Sequence, residues 1–157
     1  MNTHVLVMTV VFTFLPISEL RGGIPYALAN HMNIFLTYGL TVAVNSLVAP
    51  LLFVFFNTFH KLLYKLDFYK RFFDAVVRRS RQKVHKKVEK YGYWGLALFV
   101  AVPLPVTGAY TGTIGAWILG MDAKKSFAAI TVGVLISGLV VSTISYFGIK
   151  TLPFFLG

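Results

Sequence analysis

Residues 16–25 read Pro16-Ile17-Ser18-Glu19-Leu20-Arg21-Gly22-Gly23-Ile24-Pro25, inside a stretch from 5 to 30 that is otherwise mostly apolar. Two prolines and paired glycines rule out one regular helix, because proline lacks an N–H donor and clashes with the preceding turn. An acid and a base lie between them, and a charge at a bilayer centre costs roughly 2.5–3.5 kcal/mol on the insertion scale. The stretch therefore either crosses a membrane once as a broken helix or dips in and returns to the same face.

A membrane is implied by what flanks it. The chain is 57% hydrophobic and 13% charged, against about 45–50% and 25% for soluble domains. Residues 34–57 carry no charge in 24 positions, and neither do residues 126–149. Each reaches roughly 36 Å as a helix, beyond the hydrocarbon core of about 30 Å, so both are expected to span.

A second broken stretch, residues 93–119, is interrupted by Pro103, Pro105, Gly108 and Gly112. Its two arms, 93–102 and 106–119, would reach roughly 15 and 21 Å, about half a bilayer each, which suits a hairpin. With both broken stretches re-entrant, Lys124 and Lys125 fall on the same side as the basic block described below. The positive-inside rule favours that topology over two full crossings. Pro16-Ile17-Ser18 with Gly23 also matches Pro105-Val106-Thr107 with Gly112 at a constant offset of 89, which lays one span over the other. Interrupted segments in corresponding halves point to an inverted-repeat transporter site. The expected fold is an all-α integral membrane protein in one domain. Hairpin 1 covers 1–33, a transmembrane helix 34–57, a basic surface helix 60–90, hairpin 2 93–119 and a second transmembrane helix 126–149.

The formal charge of +10 is not spread evenly. Residues 60–90 hold eleven of the fifteen Lys and Arg against Asp67, Asp74 and Glu89, a local +8. Such a block beside a span marks the cytoplasmic side. Apolar residues from Leu62 to Tyr91 recur at steps of three or four, which predicts an amphipathic helix on the inner membrane surface rather than a solvated linker. Nucleic-acid binding would need a recognition fold that nothing here supplies. Without cysteine, disulfides and thiol chemistry are excluded. The N-terminus makes a poor signal peptide, since residues 1–4 hold no Lys or Arg, and Glu19 and Arg21 precede the Ala27-Leu28-Ala29 cleavage candidate.

The candidate site lies at the breaks. Arg21 offers a guanidinium fork that matches phosphate or carboxylate, and Gly22 and Gly23 offer backbone N–H groups at the start of a short helix. Glu19 is a candidate proton carrier, held between desolvation and a neighbouring cation. The plainer alternative is a Glu–Arg pair that only fixes the tip. The second break supplies Thr107, Tyr110 and Thr111 hydroxyls around Gly108. Gly108 and Gly112 also form GxxxG, so packing of the tips competes with ligand contact. Pro16, Pro25, Pro103, Pro105 and Gly112 are read as hairpin breaks. Asn45, mid-span, faces either the cavity or a neighbouring helix. The four histidines share no metal-ligand spacing, and no catalytic constellation is present. No enzyme activity, cofactor or metal is expected.

Glu19-Leu20-Arg21-Gly22-Gly23-Ile24-Pro25, with Tyr91-Gly92-Tyr93-Trp94-Gly95 and Val102-Pro103-Leu104-Pro105-Val106-Thr107-Gly108-Ala109-Tyr110-Thr111-Gly112, resembles the small multi-drug export family. That family is regarded as a branch of the DedA (VTT-domain) superfamily. The resemblance implies paired re-entrant hairpins with inverted symmetry and movement of lipid across membranes. DedA relatives are associated with recycling of polyprenyl-phosphate carriers or with phospholipid scrambling. The family usually has Gly where this chain has Val106, and DedA proper places an arginine in its second hairpin, which is uncharged here.

The expected function is a cell-membrane, multi-pass transporter of an anionic amphiphile such as a polyprenyl-phosphate lipid, coupled to protons through Glu19. The alternatives are a proton-coupled exporter of cationic drugs and a non-transporting scaffold. Expected partners are anionic membrane lipid at residues 60–90 and the substrate itself, with no nucleic acid; a homo-oligomer is left open.

Overall fold

The computed structural model describes residues 3–63, 74, 91–104 and 107–156. Among these, all regular structure is helical: α1 (Thr3–Phe14), α2 (Glu19–Ala29), α3 (Ile34–Leu63), α4 (Tyr91–Ala101), α5 (Ala109–Ile118) and α6 (Ala123–Leu156). The expected surface helix at 60–90, Pro105 and Val106 lie outside the described residues, apart from the end of α3 and Asp74.

The long helices α3 and α6 contain apolar stretches of 26 and 27 residues, Ile34–Phe59 and Ala123–Ile149. They start where the charge-free runs start or just before, and continue past both expected ends, 57 and 149. A core helix of a soluble protein would hide its large apolar side chains. Here Phe35, Leu47, Val54, Leu139, Ile144 and Phe147 are all exposed. An apolar surface of this kind suits lipid rather than water, and the architecture is that of an all-α membrane protein.

α3 and α6 run antiparallel. Tyr38 donates to the Leu135 carbonyl at 3.2 Å, Asn45 shares a cavity with Val134, and Ile34 lies with Tyr146 and Ile149 at one end. The short helices form two antiparallel pairs. Phe12 packs edge-on against Tyr26 with ring centroids 4.9 Å apart. Gly23 approaches Thr13 so closely that a β-carbon would lie 3.1 Å from the threonine Cβ. In the second pair, a β-carbon on Gly112 would lie 2.7 Å from Val100 Cγ2.

Turn and cap bonds of the two halves correspond at an offset of 89 residues. Ser18 N–H donates to the Leu15 carbonyl, and Thr107 N–H to that of Leu104. Met32 N–H donates to Ala27 and His31 N–H to Leu28; Met121 and Gly120 repeat these bonds to Ala116 and Trp117. These are paired Schellman caps, with His31 at φ 59° and Gly120 at φ 66°. Asn33 then caps α3 through the Leu36 N–H, and Asp122 caps α6 through Lys125. Between halves, α2 packs on α6 and α3 on α5.

Two of the expected breaks are not breaks. Pro25 lies inside α2, where it removes only the donor that would meet the Arg21 carbonyl. Gly112 lies inside α5 and serves close packing. Pro16 and Pro103 do lie in the interruptions. Buried threonines survive in this apolar interior by bonding to their own helix: Thr13 to Thr9, Thr41 to Thr37 and Thr113 to Ala109, at 2.6–2.8 Å.

Candidate functional site

The two interruptions meet, and the contact is built on the charged pair. Glu19 opens α2 with φ 47°, a left-handed conformation that costs a non-glycine residue about 1–2 kcal/mol. It turns the carboxylate away from its own hairpin and onto the first turn of α5. There Glu19 Oε2 accepts from Ala109 N–H at 3.3 Å and Oε1 from Tyr110 N–H at 3.4 Å. The first amides of a helix have no partner within it and carry the positive end of its dipole, so an anion is favoured at this position. The side chain is 5% exposed.

Arg21 reaches the same junction from the same first turn of α2. Its Nη2 donates to the Thr107 carbonyl at 2.8 Å, so acid and base both grip the backbone of the second hairpin. Gly108 lies between them with φ 135°, a conformation open to glycine, and a β-carbon there would lie 2.7 Å from Glu19 Cδ. Tyr110 adds a third tie by donating its hydroxyl to the Phe14 carbonyl.

Glu19, Arg21, Asn45, Thr107 and Gly108 line one cavity with Ser137. Its volume is only about 10 Å³, room for a single water at most. The junction is closed. Asn45 is fully buried against this cavity, its amide beside the Glu19 carboxylate. Val134, its equivalent at the 89-residue offset, lines the same space from α6.

Several sequence expectations land differently. Gly22 and Gly23 do not form an open amide cradle, since both lie within α2 and the Gly22 N–H is bonded to Ser18. Their missing side chains make room for Ser18 and Thr13. The anion-favouring amides belong instead to Ala109, which the sequence reading passed over, and to Tyr110, which it chose for its hydroxyl. The Thr107 hydroxyl bonds to the Val102 and Leu104 carbonyls, at 2.6 and 2.7 Å, and accepts from Leu104 N–H. It shapes its own tip rather than facing a ligand. Thr111 is partly buried on α5, outside the lining of this cavity.

A family model described as "Putative small multi-drug export protein" matches residues 19–140. The match begins at Glu19, directly after the first interruption, and takes in the second interruption and the first half of α6. No curated protein and no solved structure matches the chain.

Proposed function

The chain belongs to the small multi-drug export family, and from that premise we propose a membrane transporter whose substrate passes between the two hairpin tips. One observation carries the finer reading: the Glu19 carboxylate lies on the first amides of α5 with Arg21 beside it. A helix N-terminus next to a guanidinium is an anion site, and here the chain's own carboxylate fills it. In this closed state Glu19 stands in for the substrate. An anionic headgroup, the phosphate of an amphiphilic lipid such as a polyprenyl-phosphate carrier, takes its place when the tips part. Protonation neutralises Glu19 and frees the amides, which couples the exchange to a proton.

The hairpins are re-entrant in this proposal and enter from opposite faces, as in the DedA superfamily, with which we group the chain. The antiparallel α3 and α6 and the 89-residue repeat support that arrangement. The basic segment at 60–90 lies on the cytoplasmic face and gathers anionic headgroups there.

The family description favours a second reading, a proton-coupled exporter of small cationic drugs. Glu19 then exchanges a proton for the cation, and Arg21 opposes binding. Flux in proteoliposomes separates the two. If a phosphate lipid is carried, Arg21→Gln lowers its movement roughly tenfold or more, the scale of a lost charged hydrogen bond. Faster drug efflux in Arg21→Gln would favour the second reading. Unchanged flux of either substrate in both Arg21→Gln and Glu19→Gln would remove the junction from the transport path.

A further inference from the structure

Away from the junction, a groove of about 350 Å³ runs between α4 and α6, lined by Tyr93, Trp94, Ala97, Lys125, Ala128 and Ala129 and closing at Val132. The two helices lie side by side in the same direction. The Tyr93 hydroxyl accepts from Asp122 N–H at 3.2 Å near their first turns. Further along, a β-carbon on Gly133 would lie 2.6 Å from the Ala97 carbonyl oxygen, so the seam is shut between the groove and the closed junction.

From Lys125 to Val132 the groove descends about 10 Å, a third of the hydrocarbon thickness. Its polar end holds an exposed cation in the first turn of α6, with Lys124 adjacent and Asp122 engaged as the cap. Trp94 stands at the mouth, 74% exposed. The eleven cations at 60–90 end one residue before α4. Aromatic mouth, cation and apolar descent are arranged in the order headgroup, interface and acyl chain.

The internal repeat sharpens the point. At the offset of 89, Trp94 corresponds to Val5, Lys125 to Leu36 and Ala97 to Met8. The equivalent positions in the first half thus hold no lysine, arginine or tryptophan.

We propose that the α4–α6 groove binds one anionic phospholipid of the bilayer, its headgroup phosphate on Lys125 and its upper acyl chain over Ala97, Ala128 and Ala129. The site depends on α6 spanning the membrane and not on what the junction transports.

The test uses Trp117→Phe, which leaves Trp94 as the only tryptophan, in phosphatidylcholine vesicles doped with brominated lipid. Brominated phosphatidylglycerol is expected to quench Trp94 with roughly fivefold higher apparent affinity than brominated phosphatidylcholine, the contribution of one cation near a surface. Lys125→Gln should abolish that preference, and Ala128→Phe should weaken quenching by both lipids. Equal quenching by the two lipids would mean ordinary boundary contact and overturn the proposal. So would absent quenching with a dimer mass, which would give the groove to a second copy. Native mass spectrometry of the unaltered chain against Lys125→Gln reads the same site without touching Trp117. A retained phosphatidylglycerol lost in Lys125→Gln is expected, and equal retention would contradict the assignment.

Discussion

The Glu19 carboxylate occupies the space that any side chain at Gly108 would need. Glu19 and Gly108 are also equivalent positions of the internal repeat, 89 residues apart. The correspondence between the halves breaks where they touch: one holds a glutamate on left-handed backbone at φ 47°, the other a glycine at φ 135° that admits its carboxylate.

Gly108→Ala therefore meets both a disallowed backbone and the carboxylate. Its expected cost is about 1–3 kcal/mol in thermal unfolding in detergent, with transport lost. Gly39→Ala is the control, because nothing lies within 4 Å of a β-carbon there. It should be neutral or stabilising.

Thr107→Val keeps the shape of the tip but removes the hydroxyl that serves the Val102 and Leu104 carbonyls and the Leu104 N–H. A loss of about 1–3 kcal/mol is expected in the same unfolding measurement. Thr111→Val, on the partly buried face of α5, should change stability by less than half as much.

The paired caps make a reciprocal prediction. Gly120→Ala places a β-carbon at φ 66° and should destabilise by about 1 kcal/mol. His31→Gly relieves the same conformation at φ 59° and should leave the melting temperature unchanged or raise it. A fall in His31→Gly comparable to that of Gly120→Ala would mean that the imidazole itself stabilises the cap.

Asn45 separates stability from function. Its amide is fully buried beside the Glu19 carboxylate and has no other partner, so Asn45→Leu should change stability by no more than about 1 kcal/mol. Transport should fall, because the residue lines the cavity with Glu19 and Arg21. A large drop in stability would instead make Asn45 structural.

The long helices were legible because 24 charge-free positions leave few alternatives to a span. The two interruptions were legible from Pro16 and Pro103. The repeat showed only as Pro16-Ile17-Ser18 against Pro105-Val106-Thr107, while its fuller signature lies in backbone bonds that unlike residues share. His31 against Gly120 is one such pair, and the offset itself would have flagged His31 as left-handed. Gly22, Gly23 and Gly112 were misread because a missing side chain serves an open amide and a tight helix contact equally well; only tertiary neighbours distinguish them. The same limit hid Ala109 and the backbone role of Tyr110, whose amides rather than side chains hold Glu19.

Transport through this junction requires the tips to part, since the cavity between them holds at most one water. Phe14 and Tyr110 lie on opposite tips with ring centroids 6.5 Å apart, and the chain has no native cysteine to interfere. The decisive measurement is flux in proteoliposomes of Phe14→Cys/Tyr110→Cys before and after a short reducible thiol cross-link, with each single variant as control. Flux that stops on cross-linking and returns on reduction is predicted. Undiminished flux through fully cross-linked protein would contradict passage between the tips.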